Sequence, residues 1–248
     1  MSISFQLYSA RSLADQFQLL KDLAKLGYSQ VEGYGGVYDE PERYRSAMDE
    51  AGLTMPSGHF ALEALESDFD DQMKVCQAMG IQHVFVPYLA EEERPKDSAG
   101  YQAIAKRLTA LANKVHDQGR SFGWHNHDFE MMALDDGSIP IEVLLNDAPD
   151  ISWEADLAWV AYAKADPVAY TEKWGSRISA VHVKDLAKPG EKSDEDGWAD
   201  VGEGVIGWQA LSAKVRECTA DALVVMEHDN PSDVLRFAST SIKNYRSY

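Results

Sequence analysis

Eight consecutive residues, Gly123-Trp124-His125-Asn126-His127-Asp128-Phe129-Glu130, carry two imidazoles and two carboxylates. These are the side chains that ligate borderline divalent metals and move protons near neutral pH. The small and apolar run just before His125, Ser121-Phe122-Gly123-Trp124, reads as a buried strand. The octet is therefore either a His-rich surface turn or one wall of a metal or acid–base site. Related groups recur along the chain at the ends of apolar runs: Glu32, His59, Glu154 with Asp156, His182 with Lys184 and Asp185, and Glu227 with His228. By strand alternation His182 and Lys184 share a face, as do Glu154 and Asp156. Glu227 ends the run Val224-Val225-Met226, where burying an unpaired carboxylate costs several kcal/mol. Such a group needs a counter-charge. Two carboxylates with one or two imidazoles, drawn from four strands, suit the coordination shell of one divalent ion.

Such residues act together only if the fold brings the strand ends to one place. Short apolar runs over 2–9, 28–35, 53–60, 81–89, 120–127, 149–159, 177–185 and 221–229 read as strands. Amphipathic stretches over 12–27, 40–52, 66–80, 97–119, 139–148, 166–175, 207–218 and 232–248 read as helices, the first ending at Gly27 as its C-cap. Eight β-then-α units in 248 residues predict a (β/α)8 barrel, one domain over 1–248. A doubly wound open sheet is the rival, but no Gly-x-Gly-x-x-Gly follows the first strand. In a barrel, polar residues at the C-terminal strand ends share one mouth, where catalysis occurs. The least regular stretch, 188–207, follows strand seven and reads as a long βα loop.

Composition narrows the function classes. With 23 basic and 41 acidic residues the net charge is −18, which repels a nucleic-acid backbone and supplies no basic patch. No run reaches the roughly 18 apolar residues of a membrane span, and the N-terminus lacks a basic-then-apolar leader pattern. Cys76 and Cys218 lie far apart without ligand spacing and read as reduced thiols. A cytoplasmic protein acting on a small molecule is expected, and a homo-oligomer is compatible with the sequence. The GxG within Val201-Gly202-Glu203-Gly204 lacks a phosphate-loop lysine and reads as loop. Trp124, Trp174 and Trp208 read as core or pocket wall. Lys184 and Asp185 read either as a pair with each other or, for Lys184, as a substrate contact.

Over almost the whole chain the sequence resembles the sugar phosphate isomerase/epimerase family built on the xylose-isomerase-like TIM barrel. The resemblance rests on LYSAR at 7–11, SGHF at 57–60, HNHDFE at 125–130, the run from Trp153 to Ala187, VGEGVIGWQAL at 201–211 and VVMEHDNPSD at 224–233. It implies one divalent ion at the barrel mouth, with Asp156, His182 and Glu227 as ligands. The fourth ligand in many members is a glutamate at the end of strand five. This chain has His125 there, as an HNH-type subgroup does, with His127 as the rival ligand. Two imidazoles and two carboxylates imply Mn, Co, Fe or Zn more than Mg.

The resemblance implies an isomerase or epimerase that transfers the α-proton of a sugar or keto-sugar through an enediolate, with Glu227, His127 and Lys184 as the catalytic candidates. His59, Glu130, Trp159 and Glu32 are the candidate substrate contacts. Losing the strand-five glutamate breaks the paired-glutamate symmetry of family epimerases and keeps a second reading open, a keto-sugar or inosose dehydratase needing one strong base. An endonuclease IV-like repair enzyme is disfavoured by −18 charge and seven histidines. A sugar-binding barrel without catalysis is disfavoured by the intact Asp156, His182 and Glu227.

Overall fold

The structure, a computed structural model, describes residues 2–248. Eight parallel strands close into one barrel: β1 (Ser4–Gln6), β2 (Gln30–Gly33), β3 (Thr54–His59), β4 (His83–Val86), β5 (Ser121–His125), β6 (Ser152–Asp156), β7 (Ile178–Val183) and β8 (Leu223–Met226). Each strand pairs with its sequence neighbours, and β1 closes the ring on β8 through Phe5 opposite Met226. This is the (β/α)8 TIM barrel that the eight repeated units predict. Pro56, which has no amide hydrogen to give a ladder, sits where the β2–β3 register shifts.

Among the described residues ten α-helices clothe the barrel: α1 (Gln16–Leu26), α2 (Pro41–Ala51), α3 (Leu62–Ser67), α4 (Phe69–Met79), α5 (Ser98–Asp117), α6 (Pro140–Asp147), α7 (Leu157–Tyr162), α8 (Pro167–Trp174), α9 (Trp208–Cys218) and α10 (Val234–Tyr245). Several starts are set by an aspartate accepting from first-turn amides, as Asp15 does for α1 and Asp233 for α10. Gly27 ends α1 in the left-handed region, at φ 98°, a conformation that a side chain disfavours.

Several local readings change, among them the helix over 66–80, which is preceded by the separate α3. The first strand stops at Gln6, because the Gln6 side chain accepts from the Tyr8 amide and starts a 3-10 turn over Leu7–Ala10. Strand six stops at Asp156, which caps a helix that the alternating pattern concealed, α7. The long loop after β7 is partly ordered by a ribbon in which Asp185–Leu186 pairs antiparallel with Trp198–Ala199. Cys76 and Cys218 are both free. No helix among the described residues is long and apolar enough to cross a membrane.

Candidate metal and active site

The strand ends converge as barrel geometry requires. His125 closes β5, Asp156 closes β6, His182 lies in β7 and Glu227 follows β8, and donor atoms of all four fall within 4.8 Å of one another. All four are buried. Asp156 is held by its role as a helix cap: Oδ1 accepts from the Ala158 and Trp159 amides, each at 2.9 Å. Asn126, between the two histidines, braces the wall. Its Oδ1 accepts from Trp153 Nε1 at 2.8 Å and from the Asp156 amide at 3.0 Å. His182 is fixed through both nitrogens, Nδ1 lying 2.9 Å from Glu227 Oε2 and Nε2 lying 2.7 Å from Glu32 Oε1.

The electrostatics follow from this crowding. Burial opposes charge on His182, but Glu154, Glu227 and Glu32 outweigh it and hold the imidazolium well above its usual range. Burial likewise opposes charge on Glu227, yet Lys184 and His182 hold its carboxyl well below the usual range. His125 has no such carboxylate surplus. Burial, aided by the neighbouring His182, lowers it to about 3 and leaves a neutral imidazole with a lone pair. Burial raises the Asp156 carboxyl to about 6 despite the opposing Lys184 charge.

These residues fit a divalent ion. Asp156 Oδ2, His125 Nδ1 and His127 Nδ1 are buried without a hydrogen-bond partner. His125 Nδ1 does lie 3.2 Å from Glu154 Oε2, but out of line for a hydrogen bond. Unmet buried acceptors are what a cation would satisfy.

A deeper group, His59, His125, Glu154 and His182, also has donor atoms within 4.8 Å of each other. It is largely closed on itself. His59 Nε2 is 2.6 Å from Glu154 Oε2, and Glu32 beneath accepts from Gln6 Nε2 at 2.9 Å and from the Ser57 hydroxyl. Burial and Glu154 raise the Glu32 carboxyl, while His182 and His59 pull Glu154 down against its own burial.

Above the four donors opens a cavity of about 630 Å³, walled by Tyr8, Tyr34, His59, Tyr88, His127 and Asp229 among others, with His125 and Glu227 exposed to it. A groove of about 650 Å³ along α4 and α5 contains none of these groups and lies away from the chemistry.

The candidate substrate contacts separate here. His59 lines the cavity; Glu32, Glu130 and Trp159 do not. Glu32 belongs to the sealed layer below. Glu130 is fully buried, accepting from Trp124 Nε1 and from the His127 amide, each at 2.9 Å, so it shapes the HNH turn instead of meeting a ligand. Burial raises its carboxyl to about 8. Trp159 packs edge-on to Trp198 and tilted against His127, with Lys184 Nζ over its ring.

Lys184, read as a catalytic candidate or as a partner of Asp185, is neither at the cavity wall nor paired with Asp185. Its Nζ lies 2.7 Å from both Asp229 oxygens and 3.3 Å from Glu227 Oε2. Burial opposes its charge, but Asp229, Glu227 and Asp156 hold it firmly protonated. Sequence reasoning missed Asp229 and the tyrosines Tyr8, Tyr34 and Tyr88. Asp229 had a signal, sitting two residues past Glu227 and so on the same face. The tyrosines had none, because loop residues carry no periodicity.

The chain superposes on a sugar phosphate isomerase/epimerase from Parabacteroides distasonis with a TM-score of 0.81 at 19% identity, over 98% of this chain and 92% of that one. It also superposes on the probable 3-DHS dehydratase AsbF of Bacillus anthracis, involved in petrobactin synthesis, with a TM-score of 0.77 at 13% identity over 98% of each chain. An IOLI protein with a bound zinc atom aligns with a TM-score of 0.76 at 14% identity, over 100% of this chain and 96% of that one. At these identities the likeness is one of fold. No curated protein matches significantly. The family described as the xylose isomerase-like TIM barrel matches residues 20–246, most of the chain, and the protein belongs to that family.

Proposed function

We propose that this protein is a divalent-metal-dependent isomerase or epimerase acting on a keto-sugar by α-proton transfer. The observation that carries the reading is the donor set His125, Asp156, His182 and Glu227, whose Asp156 Oδ2 makes no hydrogen bond although Lys184 Nζ lies 3.5 Å away, beneath a cavity sized for a small molecule that His125 and Glu227 line. Those four residues would hold the ion, His182 giving up one of its ring protons to do so, and the ion when bound supplies Lewis-acid polarisation of a substrate carbonyl or hydroxyl. Two imidazoles and two carboxylates favour Mn, Co, Fe or Zn over Mg.

The remaining roles belong to the chain's own groups. Glu227, kept ionised by Lys184 and His182, is the proton acceptor at the cavity floor. Burial, with His125 and Lys184, keeps His127 neutral, and it presents an imidazole to the cavity as the second proton-exchanging group. Lys184 stays a cation that balances Asp229, Glu227 and Asp156; it is not a base. The Tyr8, Tyr34 and Tyr88 rings narrow the mouth and displace water. A cytoplasmic setting and a small-molecule partner complete the reading, since a net charge of −18 opposes nucleic acid.

A second reading, β-elimination by a keto-sugar or inosose dehydratase, is favoured by one specific observation. The strand-five end carries His125, so among the four donors Glu227 is the one carboxylate that lines the cavity, a single base opposite a leaving hydroxyl. Incubating metal-loaded protein with keto-sugars in deuterated water, followed by NMR, decides between them. Deuterium washed into the α-carbon of an intact sugar supports isomerisation or epimerisation, and a deoxy or unsaturated product supports elimination. Neither signal from any keto-sugar would sink both.

A further inference from the structure

A phosphoryl group on a sugar is held by cations or by free backbone N–H groups. In barrels those amides come from the loops after strands seven and eight, with a short helix N-terminus. Here carboxylates of the chain already occupy them. After β7, Asp185 accepts from the Gly202, Gly204 and Ile206 amides at 2.9, 3.3 and 2.9 Å. After β8, Glu195 accepts from the Ser232 amide at 2.7 Å, and Asp233 accepts from the Leu235 and Arg236 amides at 3.0 Å each. The α9 start at Gly207 has no capping side chain, but Gly207 does not line the cavity.

The cavity's side chains have the same bias. Its wall carries the carboxylates of Glu63, Glu93, Glu227 and Asp229 and no lysine or arginine. Lys184 lies behind that wall, saturated by Asp229. Two guanidiniums stand at the rim, and both are tied down. Arg11 sits 4.1 Å over the Tyr8 ring and donates to the Asp229 carbonyl at 2.5 Å. Arg94 sits 3.8 Å over the Phe129 ring and donates to the Leu89 carbonyl at 3.0 Å.

We propose that this mouth takes a neutral keto-sugar or keto-cyclitol and excludes phosphorylated or otherwise anionic substrates, with Glu63 and Glu93 as determinants of that choice. The inference rests on the sugar-converting reading above and narrows its substrate class. Carboxylates that repel a phosphate accept hydrogen bonds from sugar hydroxyls, and the rings of Tyr8, Tyr34 and Tyr88 offer apolar faces to the sugar's C–H edges. Glu63 and Glu93 line the cavity outside the donor set that would hold the ion.

The test uses the full-length, zinc-loaded protein with matched probes: D-fructose against D-fructose 6-phosphate, and D-xylulose against D-xylulose 5-phosphate. Binding is measured by saturation-transfer NMR, and turnover by deuterium incorporation. We expect the neutral member to bind at least tenfold more tightly, and the Glu63→Lys/Glu93→Lys double variant to narrow that ratio by tenfold or more. Equal or tighter binding of the phosphate esters overturns the proposal, as does binding of no probe in either pair. A ratio unmoved by charge reversal overturns the roles of Glu63 and Glu93. Neutral sugars that bind without exchange or elimination support the substrate class while removing the isomerase and dehydratase readings, so the two failures are distinguishable.

Discussion

Among single residues, the four donors differ from the groups that merely surround them in what their removal does. Asp156→Ala deletes both a proposed metal ligand and the α7 cap, and we expect metal content to fall from one equivalent to near zero by elemental analysis. Full retained metal would refute the assignment. Glu227→Gln keeps the shape of the side chain and the Lys184–Asp229 pair. It should lose roughly 100-fold or more in kcat, in the range of a removed general base, while losing less metal affinity. His125→Glu should keep the metal and restore the paired carboxylates of family epimerases. Wild-type α-proton exchange in Glu227→Gln would transfer the base to His127. Glu130 makes a separate point. Its position three residues past His127 suggests a ligand contact, yet it holds the HNH turn from inside. Glu130→Ala strands the Trp124 and His127 N–H groups in the interior. At about 1–3 kcal/mol per orphaned donor, urea unfolding should show a loss of about 2–6 kcal/mol.

Among the elements, the loop after β7 is held by carboxylates. A Cβ added at Gly204 would collide with the Asp185 carboxylate and the Leu186 carbonyl, so Gly204→Ala should loosen the loop and raise amide exchange across 198–207. Glu195 is the second anchor. Burial pushes its carboxyl up, but Ser232 and Arg236 hold it far below the usual range. A depressed folded pKa stabilises above the unfolded value, 4.5, and that contribution is lost as pH falls through the acid range. Glu195→Gln should therefore cost about 1–3 kcal/mol at pH 7, and the gap to wild type should shrink toward pH 3. A gap constant from pH 7 to 3 would refute the charge-based account. What sequence could not reveal here follows from the same physics. The helix α7 was hidden because Asp156 serves as both strand end and cap, and the ribbon was hidden because its two-residue strands have no period to read.

For the molecule as a whole, the barrel was legible because eight apolar runs alternate with eight amphipathic ones, and closure forces their polar ends together. The convergence of polar groups was legible for that reason, and the family resemblance singled out His125, Asp156, His182 and Glu227 among them, donors that lie within 4.8 Å of one another. Their partners were less so: Glu32, read as a substrate contact, meets His182 across the barrel interior, and Gln6 and Ser57 bond to it through the register of β1 and β3 on either side, which a sequence does not print. That closure gathers the buried carboxylates Glu32, Glu154, Asp156 and Glu227, with Asp229 beside them, offset by Lys184 and by protons held on His59 and His182. A ligand that binds the folded state alone stabilises it by mass action. At a hundredfold excess over Kd the gain is about 2.7 kcal/mol. In a chain of 248 residues that corresponds to a rise in Tm of about 5–10 °C, at roughly 2–4 °C per kcal/mol. Mn, Co or Zn should give this shift with the chelated protein, Mg should give less at equal concentration, and Asp156→Ala should abolish it. An equal Tm rise in Asp156→Ala would mean that the cations bind the acidic surface and not the barrel mouth.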